Sequence, residues 1–144
     1  MNIKIKRFDK EIQIPKHETA GAAAFDFAAR KTVTIPAHGV GYVPLNVAIA
    51  TPEAHFLLIA ARSSTHKKGL MLANGIAVGD PDFCGDEDEY NAAVLNFTDA
   101  PVTVERGDRI VQGMFVPVAG FSWNEVETMG EHKSRGAFGT TGGK

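Results

Sequence analysis

The stretch "RGDRIVQGMFVPV", residues 106–118, decides the fold class. Gly107 and Asp108 read as a turn. From Ile110 onward the chain is almost continuously apolar until Pro117 ends the run. Such a run is too short for a long helix and predicts a strand buried on both faces. "HFLLIAA" (55–61) and "AAVLNF" (92–97) read the same way. "IKIKRF" (3–8), "TVTIP" (32–36) and "VTVE" (102–105) alternate with a period of two, the mark of half-buried strands. Fifteen glycines and seven prolines punctuate these short runs, so turns are many. Only "SSTHKKGL" (63–70) looks helical, for a turn or two, with Ser63 or Ser64 placed to cap it. The expectation is an all-β sandwich or barrel with one short helix. Its sheet edges need cover, and oligomerisation supplies it readily.

A chain of 144 residues suits one core. A net charge of −2 gives no basic field for long nucleic acid, although a few placed arginines suffice for a small anion. One cysteine, Cys84, excludes an internal disulfide and a cysteine-rich zinc site. "MNIKIKRFDK" has no apolar segment of the signal-peptide kind, and no apolar run approaches the length of a membrane span. A soluble, cytoplasmic protein without a membrane or nucleic-acid partner is expected.

Four constellations carry chemistry. In "ARSSTHKKG" (61–69), Arg62, Ser63 and Ser64 stand where a buried strand turns into a short helix. Unpaired N–H groups, a guanidinium and two hydroxyls make an oxyanion cradle; the plainer reading is an N-cap with a surface arginine. In "NGIAVGDPDFCG" (74–85), a hairpin with exposed backbone offers the Asn74 amide to a base edge, the Asp80 carboxylate to a water and Phe83 as an apolar plate. Alternatively the segment is two turns joined by a strand. Its acidic residues lack the ordered ligand spacing of an EF-hand. In the opening stretch, Asp108 pairs with Arg109 or caps the turn. Gln112, inside an apolar strand, is either a structural hydrogen-bonder or a ligand contact. Finally, "RGAFGTTGG" (135–143) offers backbone N–H groups and threonine hydroxyls to phosphate, or is a loose terminus. It lacks the lysine–Ser/Thr ending of a P-loop.

Taken in order, these segments resemble the motifs of the trimeric dUTP diphosphatases (dUTPases), a family sharing a superfamily with the dCTP deaminases. "AAAFDFAA" (22–29) resembles the first motif, with Asp26 at its carboxylate. "ARSS" resembles the second, "NGIAVGDPDFCG" the third, "RGDRIVQGMFVPV" the fourth and "RGAFGTTGG" the fifth. The resemblance implies a jelly-roll-like distorted β-barrel over residues 1–132. It also implies a glycine-rich arm, 133–144, that closes a neighbouring subunit's site in a homotrimer with shared sites. By the same resemblance Asp80 activates a water that attacks the α-phosphorus of dUTP, giving dUMP and pyrophosphate. Mg²⁺ bridges the phosphates, with Asp26 reaching it through water. Arg62, Ser63, Ser64 and Gln112 hold phosphates. Asn74 and the backbone of Val78 and Gly79 meet the uracil edge, and Phe83 packs on the sugar. Phe138 stacks on the base. Arg135, Gly136, Ala137, Gly139, Thr140 and Thr141 complete the arm's contacts.

The chain departs from the family pattern at several places. Phe83 stands for tyrosine, Ala24 and Ala137 for glycines that suit positive φ, and Ser64 for glycine. Lys133 competes with Arg135 for the arm's charged contact. "DEDEY" (86–90) reads as an insertion of unassigned role. Two other readings belong beside dUTP hydrolysis: a dCTP deaminase, alone or bifunctional, and a non-catalytic trimeric nucleotide binder. The deaminase reading lacks its glutamate, since Ala93 stands three residues before Asn96, though Glu89 lies close in sequence. The binder reading leaves Asp80 without a purpose.

Overall fold

The computed structural model describes residues 1–139 and 142. Eleven short strands run in chain order: β1 (Ile5–Arg7), β2 (Phe25–Phe27), β3 (Val33–Ile35), β4 (Val40–Pro44), β5 (Val47–Ile49), β6 (His55–Ala61), β7 (Leu70–Leu72), β8 (Ala77–Gly79), β9 (Asn91–Asn96), β10 (Val102–Val104) and β11 (Val111–Pro117). They form four ladders, ordered β2-β11-β6-β8, β4-β9-β7, β1-β5 and β3-β10. All pairs are antiparallel. The pairings are long-range, as when β10 returns to β3, which gives a jelly-roll-like fold of open sheets around one core.

The alternation of side chains builds that core. Leu57 and Ile59 of β6, Val111 of β11, Val94 of β9, Ile35 of β3 and Phe27 of β2 are fully buried. Each such side chain contributes about 1.5–3 kcal/mol on leaving water. Gly113 lies inward on β11, where an added Cβ would come within 2.6 Å of the Phe27 ring. The fully buried Asn96 is satisfied on all sides: its amide donates to Ile35 and Ala100 carbonyls, and its oxygen accepts from Thr98 N–H and hydroxyl. It is a structural device of the core.

Three expectations need correction. The apolar runs are not buried on both faces in the single chain: β9 buries Ala92 and Val94, while Ala93 and Leu95 stay half-covered. Among the described residues no second layer packs on that outer side, where Val40, Tyr42 and Met71 are exposed. The helix is one 3-10 turn, Thr65–Lys68, and the Ser64 side chain makes no capping bond. Thr65 instead ties the helix start to the sheet, its Oγ1 accepting from Arg62 N–H and donating to Ile110 O. Nor is 74–85 a hairpin: its one strand is β8, which pairs with β6, so the segment is the alternative of two turns joined by a strand, while β7 pairs with β9. Asn74-Gly75, with Gly75 at φ 73°, is the turn that carries the chain from one sheet to the other. Neither Ala24 nor Ala137 adopts positive φ, so alanine is accommodated at both. Among the described residues no helix is long and apolar enough to cross a membrane.

Candidate active site

The outer face of the β2-β11-β6 sheet places Asp26, Gln112 and Ala60 side by side in register. Arg62 follows directly after β6 and turns back onto this row. Its Nε lies 3.0 Å from Asp26 Oδ1, and its Nη1 donates to the Arg109 carbonyl at 3.0 Å. Arg109 holds the other Asp26 oxygen at 3.3 Å and pairs with Glu18. Gln112 donates to Ala61 O at 3.1 Å. Asp26 is 9% exposed and Arg62 29%, so the carboxylate fixes the guanidinium at the rim of the sheet. Ser63 and Ser64 extend this rim at the helix start. Asp108 caps its turn by accepting from Glu105 N–H and pairs with Lys68, not Arg109. A cleft of about 350 Å³ opens beside Asp26 and Arg109.

A second cleft of about 350 Å³ lies at the other end of the sheet, along β8. Val78, Gly79, Asp80 and Phe83 line it, together with Glu89 and Tyr90. β8 is an edge strand, so its outward backbone is open to a ligand. Val78 is 56% exposed, Asp80 is exposed and Gly79 is buried. Asn74 is exposed on the turn leading into this strand. Phe83 is partly exposed, its ring set edge-on to Tyr90 at 5.1 Å.

The two groups do not meet within one chain. Gly79 pairs with Leu57 at one end of β6, and Arg62 lies beyond its other end. At a rise of about 3.3 Å per residue, Asp80 and Arg62 are roughly 15–20 Å apart along the strand. Residues 133–139 follow the last strand, β11. Arg135, Gly136, Ala137, Phe138 and Gly139 are exposed, as is Lys133. The Gly136 N–H donates to the Ser134 hydroxyl. Thr140 and Thr141 lie outside the described residues.

The residues 86–90 acquire a role in holding the second cleft. Glu89 accepts two bonds from Arg30, both 2.7 Å, and one from Asn46 N–H at 2.9 Å. That hydrogen bond with Glu89 raises the Arg30 pKa above its usual value. Lys6 binds Asp86, and Asp88 accepts from Gly85 N–H. Sequence patterns did not single out Arg109, Arg30 or Tyr90 for the site. An arginine at the entry of the apolar run 110–117 and the tyrosine after four acids were the available signals.

The chain is of one class: an all-β, jelly-roll-like scaffold that presents an arginine rim and, separately, a carboxylate beside an aromatic plate. The family model for dUTPase matches residues 10–142, and the chain belongs to the dUTPase family. A deoxyuridine 5'-triphosphate nucleotidohydrolase of Lactococcus lactis is 33% identical over 135 residues, covering 91% of this chain and 89% of that protein. The crystal structure of dUTPase from Streptococcus mutans superposes with a TM-score of 0.75 at 31% identity, covering 83% of this chain and 98% of that one. A mutant dUTPase from phage phi11 of S. aureus, described with a structural Mg(II) ion, shares the fold with a TM-score of 0.79 at 17% identity, over 90% and 99% of the two chains.

Proposed function

We propose that this chain hydrolyses dUTP to dUMP and pyrophosphate in a homotrimer whose sites are shared between subunits. The observation that carries the shared site is the separation of Asp80 from the Arg62 rim within one chain. Each chain holds two half-sites facing different partners, so a complete site needs the Asp80 cleft of one subunit and the arginine rim of another. The exposed apolar outer face of the β4-β9-β7 sheet supports assembly, since a monomer would leave Val40, Tyr42 and Met71 wet.

In this reading Asp80 takes the proton from a water that attacks the α-phosphorus. Arg62, Ser63, Ser64 and Gln112 hold the phosphate chain, with Arg62 preset by Asp26 and the Arg109 carbonyl. Asn74, Val78 and Gly79 meet the uracil edge along open β8 backbone, and Phe83 packs on the sugar. The arm, residues 133–144, closes over the nucleotide of a neighbouring subunit, with Phe138 on the base and Arg135 among the phosphate contacts.

Among the described residues no group of three or more acidic, histidine or cysteine side chains forms a metal cage. Mg²⁺ keeps several waters and binds through one or two carboxylates plus substrate phosphates. Asp26 spends one acceptor position of each oxygen on an arginine, and a carboxylate has more. It therefore retains capacity to hold a magnesium-bound water. When bound, the ion neutralises charge on the leaving pyrophosphate.

The deaminase alternative is disfavoured by the Glu89 contacts, since both of its oxygens are committed to Arg30 and Asn46. The test is product analysis with dUTP and dCTP on the wild type and Asp80→Asn. We expect pyrophosphate from dUTP, no ammonia from dCTP, and a kcat about 10²–10⁴-fold lower in the variant, with nucleotide binding retained. Ammonia release, or an Asp80→Asn enzyme with normal turnover, sinks the reading.

A further inference from the structure

Gly79 immediately precedes Asp80, and its missing side chain is occupied by another residue. A Cβ built on Gly79 would overlap the Tyr90 hydroxyl and lie 2.8–2.9 Å from two of its ring carbons. Tyr90 is 7% exposed and tightly held by its backbone: its N–H donates to Val47 O at 2.9 Å, and its carbonyl accepts from Leu45 N–H at 2.8 Å. Its neighbour Glu89 is clamped by Arg30 and Asn46. Phe83, by contrast, sits on an exposed loop, tied locally by its N–H to Asp80 O at 3.2 Å. What gives that loop a fixed wall is the edge-on Tyr90 ring at 5.1 Å.

The hydroxyl is costly where it is. Neither it nor the buried Thr51 hydroxyl reaches a partner in hydrogen-bonding geometry, and an unpaired buried donor is unfavourable. Burial pushes the phenol pKa up, nearby Asp80 adds to this, and Thr51 pulls the other way. The phenol thus stays neutral against the Asp80 segment. The ring carbons alone already fill the space beside Gly79 and wall Phe83, so the positioning rests on the ring and not on the hydroxyl.

We propose that Tyr90 is a positioning residue: its phenol fills the volume that Gly79 leaves, and so fixes both the backbone presenting Asp80 and the plane of Phe83. The inference rests on the dUTP reading above and extends it. Gly79 and Tyr90 form a complementary pair, and the Phe83 wall they set governs discrimination between deoxyribose and ribose.

The test is steady-state pyrophosphate release by the full chain with dUTP and with UTP. The proteins are the wild type, Tyr90→Phe, Tyr90→Leu, Gly79→Ala and the double variant Gly79→Ala/Tyr90→Leu. Tyr90→Leu should lower the dUTP-to-UTP ratio of kcat/KM about tenfold or more, while Tyr90→Phe, which keeps the ring, stays within about twofold of the wild type. Gly79→Ala should cost about tenfold in kcat/KM, part of which the double variant recovers. An unchanged ratio in Tyr90→Leu, or strictly additive losses in the double variant, overturns the proposal. If Tyr90→Leu does not fold, an unchanged ratio in Gly79→Ala overturns it instead. A wild type that releases no pyrophosphate from dUTP removes the underlying reading. An active wild type, a silent Asp80→Asn and unmoved ratios remove this inference alone.

Discussion

The two ends of the β2-β11-β6-β8 sheet are built on opposite principles. At the Arg62 end, charge is organised before any ligand arrives: Asp26 is shared between two guanidiniums, and Arg62 also holds the Arg109 carbonyl. At the Asp80 end, the carboxylate is exposed, and order comes from packing, through Gly79, Phe83 and Tyr90. In the proposed function the polar end counters phosphate charge without collapsing onto its own acid, so its arginines need fixed partners. In the same proposal the packed end keeps a carboxylate wet beside the wall that meets the sugar, and neither end is a complete site alone. The sheet that joins them also holds them apart.

The comparison breaks most sharply in a mixing experiment. Asp80→Asn and Arg62→Gln should each be nearly inactive as pure assemblies. Unfolded and refolded together, they should regain activity toward about a quarter of the wild-type rate, the share of mixed sites that receives both intact halves by chance. Mixed assemblies, verified by native mass spectrometry, that stay inactive would show that both halves come from one chain. A smaller effect sharpens the polar end. Asp26→Asn should loosen Arg62 and raise KM about tenfold, with a loss of about 2 kcal/mol in stability from two arginines left under-paired. A normal KM in that variant means that Asp26 does not preset Arg62. The smallest effect lies outside both ends and serves as a control. Arg106 hydrogen bonds, helped by the Glu11 N–H, hold the Asp9 carboxyl below the usual carboxylate range. A depressed carboxyl stabilises the fold above the unfolded value and loses that contribution as pH falls through the folded one. The wild type should therefore exceed Asp9→Asn in Tm near neutrality and lose the lead below about pH 4, with kcat unaffected. A Tm gap independent of pH would contradict the assignment.

Much of the molecule was legible in order along the chain. Period-two runs located β3 and β10, whose burial alternates, and also β1, whose three residues are all half-buried. The runs at 55–61, 92–97 and 109–118 located β6, β9 and β11, although their apolar outer sides concern a surface the single chain does not cover. The turn at Asn74-Gly75 was legible, but its partners were not: turn chemistry gives a reversal and does not say which sheet each arm joins. Ser64 looked like a cap and is not one; the hydroxyl that bonds at this turn is Thr65, which joins Arg62 N–H to the Ile110 carbonyl, a partner 45 residues away that local sequence does not announce.

By itself the sequence determined the fold class, the family-like motifs and the residue types at Asp80, Arg62 and Gln112, because each rests on local period or local chemistry. Only the tertiary structure decided which of them meet. Register on β6 sets Asp80 and Arg62 at opposite ends, the fold brings Asp26 between two arginines, and Glu89 reaches Arg30 across 59 residues of chain. Tyr90 filling the space of Gly79 belongs to the same class of fact. These are contacts between distant segments, fixed by packing and long-range pairing, and a linear pattern carries no trace of them.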